Sequence, residues 1–317
     1  MQTQLIAALL CLVLLPLSPA DAAETPEPGE NDDTLSLYKV TGNVYGIEGP
    51  LANRTAGNLG NNATFGFIVT ADGVVLVDPG GTYKGAQRID EVIRSITDKP
   101  VKYVINTGGQ DHRWLGNDYF RKQGAKVIAS NAAVADQKTR LNDILLGLSN
   151  AAGDEVLQGT VASYADITFD KEYTFSLGGT DFEIYHPGNA HSPGDSFVWL
   201  PGQKVIFTGD IAYTVRMLSM MSFSSSKSWV ESYEAMAAFK PDHVIPGHGK
   251  PTTLAVTDKD TYAYLTSLRK KITEFMNAGG GIEDVSQIDQ SEFSYLRNYD
   301  SLKGRNAQKI YEEIEFE

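Results

Sequence analysis

The sequence predicts an α/β protein in which two sheets pack together and helices lie outside them. Short apolar runs that end in Gly-containing turns alternate with helical apolar stripes along the chain. This strand and helix alternation occurs once in the first half and again in the second half. The segments "VVLVDPGG" and "KVIFTGDI" correspond to each other, because each is a buried strand that delivers an aspartate into a glycine-containing turn.

The first half predicts strand–helix–strand–helix–strand after an initial hairpin. "YKVTGNVYGIEG" alternates around Gly42-Asn43, which is typical of a hairpin turn. Asp72-Gly73 separates two further strands, and Val74–Val77 is apolar at every position, which favours burial on both faces. The next elements are a helix in "GAQRIDEVIRSIT", a strand in "VKYVINT", a short helix in "LGNDYFRKQG" and a strand in "AKVIAS".

The second half repeats this order after a helical region at 131–150. It predicts a strand in "DFEIYHPGNAHSPGD", a hairpin in "SFVWLPGQKVIFTGDI", a helix in "SWVESYEAMAAF" and a strand in "PDHVIPGHG". The segment "RMLSMMSFSSSKSW" is rich in Met, Phe and Ser, which suits a flexible wall over a site. Two C-terminal helices are expected, at Thr261–Met276 and from about Gly304 to Glu317.

The N-terminus predicts export. Leu5–Leu17 is an apolar run of 13 residues, and Ala20-Asp21-Ala22 fits a small-x-small cleavage site. We therefore interpret 1–22 as a signal peptide, with a membrane anchor as the alternative, and 23–34 as a flexible leader. A main α/β domain at 35–255 and a helical extension at 256–317, packed on the same domain, complete the expected organisation. A periplasmic or secreted location follows.

Composition limits the chemistry and the partners. The only cysteine, Cys11, lies in the predicted signal peptide, so a mature chain has neither disulfides nor thiol ligands. The formal charge is −13, of which the signal segment carries only Asp21. An acidic surface repels phosphate backbones, so we expect no nucleic acid partner. We expect a small-molecule substrate and no stable membrane insertion after cleavage; the oligomeric state stays open.

Candidate metal ligands follow the predicted strands. His112, His191 and His248 lie in Gly-rich turns directly after apolar strands, and Asp210 lies in a fourth turn of this kind. Strand ends converge at one edge of a sheet, where imidazoles and a carboxylate suit Zn²⁺, with iron or manganese as alternatives. The two remaining histidines, His186 and His243, are expected to be structural.

The chain resembles the metallo-β-lactamase-fold hydrolase superfamily over roughly residues 35–253. "GVVLVDPGG", "VINT", "NAHSPGDSFVWLPGQKVIFTGDI" and "VIPGHG" match that family's strands and ligand turns in order. The C-terminal "RNAQKIYEEIE" is similar to a SoxH-like periplasmic branch. The resemblance implies an αββα sandwich with one or two metals, usually zinc, that activate a water for hydrolysis.

The loop "INTGGQDHRWLGN" departs from the family's His-x-His-x-Asp-His pattern. An alignment without gaps places Gly108, Gln110, His112 and Arg113 at the four ligand positions. A shift of one residue instead matches Asp111-His112 to the family's Asp-His pair. Both alignments lack the two early histidines, which argues against a dinuclear centre.

Specific roles follow from this comparison. We expect Asp111, His112, Asp210 and His248 to hold one metal, with His191 as a further ligand or a substrate contact. Asp111 or Asp210 would orient or deprotonate a water. Gln110, Arg113 and Trp114 are candidate substrate-binding residues. Arg113 offers only donors, so it would alternatively fill the place of a lost metal, neutralise carboxylates or point to solvent, whereas Trp114 would alternatively be a core residue.

Three functions remain open at this stage. The first is an exported hydrolase that uses a water activated by a single metal ion, with an unknown substrate. The second is an iron-dependent oxidative or sulfur-handling protein, because His and Asp side chains also form iron sites. The third is a metal-free binding protein that keeps the fold.

Overall fold

The computed structural model describes residues 33–317, so the predicted signal peptide and nearly all of the flexible leader lie outside the described residues. Within this part of the chain, no helix combines the length and apolar character needed to cross a membrane. The strands are β1 (Ser36–Thr41), β2 (Val44–Glu48), β3 (Thr64–Val69), β4 (Val74–Val77), β5 (Val101–Ile105), β6 (Lys126–Ser130), β7 (Ile167–Phe169), β8 (Glu172–Leu177), β9 (Thr180–Tyr185), β10 (Phe197–Leu200), β11 (Val205–Phe207) and β12 (His243–Ile245). The α-helices are α1 (Tyr83–Arg94), α2 (Asp111–Trp114), α3 (Asn117–Lys122), α4 (Asn131–Ala152), α5 (Ser226–Ala237), α6 (Leu254–Thr257), α7 (Ala263–Asn277) and α8 (Tyr299–Glu315).

The strands form two sheets. One has seven strands in the order β1-β2-β3-β4-β5-β6-β7, and the other has five in the order β12-β11-β10-β9-β8. Pairing is parallel from β4 to β7 and between β11 and β12, and antiparallel elsewhere. Each parallel step requires a crossover, and helices such as α1 and α5 supply it.

Three buried clusters define four layers. The central cluster joins residues of both sheets, for example Val77 of β4 and Phe207 of β11, so the sheets pack face to face. A second cluster places α1 and α3 on the outer face of the seven-stranded sheet. A third places α5, α7 and α8 on the outer face of the five-stranded sheet. This arrangement confirms the predicted αββα sandwich with extra C-terminal helices.

Most predicted elements occur near their expected positions. The hairpin at Gly42-Asn43 and the turn at Asp72-Gly73 are present, and β4 is buried at all four residues. The last helix begins at Tyr299, five residues before the expected start at Gly304. The single-turn helix α2 inside the altered loop has no counterpart in the prediction, because four residues are too few to establish a helical period.

The C-terminal helix α8 is joined to α5 by a carboxylate at a helix N-terminus. Glu313 accepts hydrogen bonds from Ser225 Oγ at 2.9 Å, from the Ser226 amide at 2.7 Å and from the Lys227 amide at 3.1 Å. The first amides of a helix have no partner within the helix, and a negative charge at this end is favourable. Glu313 therefore fixes the position of α8 against the second half of the fold.

We expect the substitution Glu313→Gln to lower the free energy of unfolding by about 1–2 kcal/mol, because the neutral amide weakens charge-assisted bonds at the α5 N-terminus. Urea denaturation of the variant and the unsubstituted protein measures this difference. Glu315→Gln is the control, since Glu315 is exposed on the same helix and loses the same charge. An equal effect of the two substitutions would contradict the proposed role of Glu313.

Candidate functional site

The candidate site lies at one edge of the two sheets, where several strands end. Asp78 follows β4, Asp210 follows β11, and His248 follows β12, while the loop after β5 supplies His112. The loop between β9 and β10 contributes His191. All five side chains are buried, and each is at most 3% exposed. The structure therefore brings the strand-end turns together at one edge, as the sequence predicted.

Arg113 lies at the centre of this edge and is fully buried. Its Nε and Nη2 donate to the two oxygens of Asp210 at 3.2 and 2.7 Å, and Nη1 donates to Asp78 at 2.9 Å. The remaining N–H groups donate to the carbonyls of Thr64 at 3.0 Å and Gly247 at 2.9 Å. All five donors of the guanidinium are thus used. In this arrangement Arg113 neutralises carboxylates and has no donor left for a substrate.

The positions of the two missing histidines are filled by other contacts. A Cβ atom on Gly108 would lie 2.5 Å from Oδ1 of Asp195, so no larger side chain fits there without movement. Gln110 Nε2 lies 2.8 Å from His191 Nε2, and Gln110 Oε1 accepts from Arg140 at 3.1 Å. His191 Nδ1 faces the Ser219 carbonyl at 2.9 Å, so Nδ1 carries the proton and Nε2 accepts from Gln110. The Nε2 lone pair of His191 is therefore already occupied by the hydrogen bond from Gln110.

His112, Asp210 and His248 form the group that is suited to a metal ion. One ligand atom from each side chain lies within 4.8 Å of the others. His112 Nε2 lies 3.6 Å from Asp210 Oδ2, and His248 Nε2 lies 3.4 Å from Asp210 Oδ1. His112 Nε2 is buried and has no hydrogen-bond partner among the described residues. A buried ring nitrogen without a partner is costly, and a metal ion would satisfy it.

Asp111 lies behind His112 and outside this group. Both of its oxygens accept from Arg54, in a bidentate ion pair. His112 Nδ1 lies 3.4 Å from Asp111 Oδ1 and 3.3 Å from Arg54 Nη2. Because Arg54 Nη2 already donates to Asp111, His112 Nδ1 can carry a proton that points to Asp111, and this tautomer leaves the Nε2 lone pair for a metal. His112 rather than Asp111 thus meets Asp210 and His248, as in the alignment without gaps.

The charge states suit ligands for a cation. Burial lowers the pKa of His112 and that of His191 to about 4, and it lowers the pKa of His248 well below its usual value. Burial alone would raise the pKa of Asp210, but the Arg113 charge and the nearby rings of His112 and His248 hold that pKa well below its usual range. Near neutral pH the site therefore offers neutral imidazoles and an ionised carboxylate.

His248 has a second contact that affects its tautomer. Arg216 Nη1 lies 3.3 Å from His248 Nδ1. A guanidinium only donates, so Nδ1 accepts and Nε2 carries the proton toward Asp210. His248 becomes a ligand through Nε2 only when Arg216 releases Nδ1 and the proton moves there.

A cavity of about 380 Å³ opens beside the group of three. This volume suits a small molecule. Gln110, His112, His191 and His248 line it, as do Ser219 and Met221 from the segment that was expected to form a wall. Arg216, at the start of the same segment, lines it too, and so do side chains that the sequence did not single out: Asn53, Arg54, Tyr213, Asn298, Ser301, Leu302 and Arg305.

Trp114 is a core residue, which the sequence analysis gave as the alternative to a substrate contact. It is fully buried in a cluster with Leu115 and Leu148, and its ring stacks on Tyr164 at 5.3 Å between centroids. It does not line the cavity beside His112. Arg113 and Trp114 thus stabilise the loop from within, whereas Gln110 and His191 face this cavity.

The chain is similar to known hydrolases. Residues 60–248 match the metallo-beta-lactamase superfamily. A type 2 metallo-beta-lactamase of Elizabethkingia meningoseptica is 28% identical over 57% of this chain and 67% of its own length. A linear primary-alkylsulfatase of a Pseudomonas species is 21% identical over 77% of this chain, which spans about half (54%) of that relative. A solved sec-alkyl sulfatase variant has a TM-score of 0.66 at 18% identity and covers 88% of this chain and 50% of its own.

We expect Arg113→Met to lower the free energy of unfolding by about 3–5 kcal/mol, because two buried carboxylates lose their counter-ion. Urea denaturation in the presence of a chelator measures the loss without a contribution from bound metal. Arg94→Met is the matched control, since the Arg94 side chain is 57% exposed and Asp90 keeps the hydrogen bond from Tyr119 when Arg94 is removed. If both substitutions cost the same, Arg113 does not stabilise the site as described.

Proposed function

Because the chain belongs to the metallo-beta-lactamase superfamily, we propose that it is a metal-dependent hydrolase that holds a single metal ion, zinc, with His112, Asp210 and His248. The observation that carries the proposal is the buried and unpartnered Nε2 of His112 within reach of the other two ligand groups. The relatives support a hydrolase, since their names are those of a β-lactamase and of alkylsulfatases.

The donor set fits one such ion. Two imidazoles and one carboxylate are three protein ligands, which leaves a position open, as in catalytic zinc sites. Zinc bound there would supply Lewis-acid chemistry and a water with a lowered pKa. A second ion is not part of the proposal, since Gln110 occupies the Nε2 lone pair of His191 and Gly108 offers no ligand.

The protein's own residues have separate tasks in this proposal. Asp210 remains ionised beside Arg113 and can accept a proton or orient a water between the ligand groups. Asp111 holds the ring of His112 through Nδ1 and keeps Arg54 in place. Burial raises the pKa of Tyr213 well above its usual value, so the phenol stays protonated and serves as a donor in the cavity.

The same donor set also suits iron, because two histidines and one carboxylate form the facial triad of non-haem iron proteins. Elemental analysis of the purified chain therefore separates the proposed hydrolase from the oxidative alternative. A chain that contains iron rather than zinc, or that takes up neither on reconstitution, contradicts the zinc hydrolase.

We expect residues 23–317, purified without chelator, to contain about one zinc ion per chain, since three ligands and one open position complete a zinc site. His112→Ala, Asp210→Ala and His248→Ala should each abolish zinc, while His191→Ala should leave it bound. Elemental analysis gives the metal content, and circular dichroism confirms folding.

His243→Ala is the matched control for these substitutions. His243 begins β12, three residues before the turn that carries His248, and it is outside the ligand group. Zinc that is lost equally from His243→Ala would indicate a general loss of structure. Unchanged zinc in His112→Ala would show that the altered loop does not bind the metal.

We further propose that the protein is exported to the periplasm or secreted after cleavage behind Ala22. When the full-length chain is expressed in a Gram-negative host, the periplasmic fraction should yield the intact mass of residues 23–317, because the small residues at Ala20 and Ala22 fit signal peptidase. Ala22→Arg should block this cleavage. An uncleaved chain in the membrane fraction would favour the anchor alternative instead.

A further inference from the structure

The cavity beside the ligand group has an unbalanced positive charge. Three arginines line it, Arg54, Arg216 and Arg305, and no aspartate or glutamate is among the lining residues. Asp111 neutralises Arg54. Within residues 33–317, neither Arg216 nor Arg305 has a carboxylate at ion-pair distance. The chain as a whole has a formal charge of −13, so a positive cavity is not simply a consequence of a basic composition.

Arg216 is the more unusual of the two. It is only 8% exposed, and its Nε is buried without a hydrogen-bond partner among the described residues. Its Nη1 reaches only the ring nitrogen of His248, at 3.3 Å. A guanidinium stays charged and offers five donors, so burial without an acid leaves it in need of acceptors.

The backbone holds Arg216 in this position. The Arg297 amide donates to the Val215 carbonyl at 2.8 Å, and the Met217 amide donates to the Arg297 carbonyl at 2.9 Å. These two bonds flank Arg216 and tie it to the segment that leads into α8. The guanidinium is thus presented to the cavity by a fixed backbone rather than by a free loop.

Arg305 faces the same cavity from α8. It donates to the Met220 carbonyl from Nε at 3.3 Å and from Nη2 at 3.2 Å, so neutral acceptors hold it in place while its charge stays uncompensated. Ser301 lies one helical turn earlier and also lines the cavity, where its hydroxyl donates to the Asn298 carbonyl at 3.0 Å.

We propose that Arg216 and Arg305 form a subsite for an oxyanion group of the substrate, a sulfate, phosphate or carboxylate, beside His248. An oxyanion supplies the acceptors that Arg216 lacks and the negative charge that both guanidiniums lack, and arginine binds such groups with two parallel hydrogen bonds. An anion at Arg216 would also draw the guanidinium from His248 Nδ1, which frees that nitrogen to carry the ring proton. As a substrate subsite this inference rests on the proposed function, whereas the binding of the anion itself does not.

Calorimetric titration with sodium sulfate, phosphate and acetate tests the subsite. The mature chain is titrated as purified and after chelator treatment, in an oxyanion-free buffer at constant ionic strength. We expect one anion to bind per chain in both forms, and Arg216→Gln to weaken binding by at least about tenfold through the loss of charge-assisted bonds. The anion that binds best distinguishes a tetrahedral from a planar group.

Arg305→Gln and Arg94→Gln complete the test. Arg305→Gln should also weaken anion binding. If circular dichroism shows that Arg216→Gln is unfolded, the result for Arg305→Gln alone tests the subsite. Arg94→Gln should bind as the unsubstituted protein does, because Arg94 is on the distant surface of α1. Failure of the unsubstituted protein to bind any of the anions, or equal binding by folded Arg216→Gln and Arg305→Gln, overturns the proposal. Since the chelated form is included, a missing metal does not obscure either result.

Discussion

The buried guanidinium of Arg113 is the contact on which the rest of the site depends. On one side it binds the Thr64 carbonyl and Asp78, which belong to the seven-stranded sheet. On the other side it binds Asp210 and the Gly247 carbonyl, which follow strands of the five-stranded sheet. One side chain thus joins the edges of both sheets at the place where the ligand turns emerge. Gly247 permits this approach, since a Cβ atom there would lie 2.8 Å from Arg113 Nη2.

The same cation sets the electrostatics of the ligand group. Asp210 is its only carboxylate, and Arg113 contacts both oxygens of that carboxylate. Asp210 therefore stays ionised despite full burial, but it offers less negative charge to a metal than a free carboxylate would. Arg216 adds a further positive charge beside His248. A dication in this group would leave the cavity strongly positive, which is the condition under which an anionic ligand gains most from binding.

Local patterns in the sequence predicted the fold and the ligand turns, because strands and glycine turns are encoded by neighbouring residues. His112, Asp210 and His248 were found in this way, and the order of strands and helices predicted two packed sheets with helices outside, while the αββα sandwich was implied by the family resemblance. Only part of the cavity wall was predictable by the same means, namely the segment that begins at Arg216. Arg54, Arg216 and Arg305 lie far apart in the chain, so only the fold brings their charges together. The role of Arg113 was left open between several alternatives for the same reason, since its partners lie in four separate segments.

The altered loop has lost two metal ligands, but the residues that replace them make specific contacts with the surrounding side chains. Asp195 occupies the space into which a side chain at Gly108 would extend. Gln110 bonds directly to His191, and Arg140 holds the other end of its amide. A histidine at either position would therefore meet side chains from distant segments before it met a metal. If a single ion is bound, Arg216 and Arg305 are the remaining fixed positive charges that can hold an anionic substrate, a task that a second ion could otherwise perform.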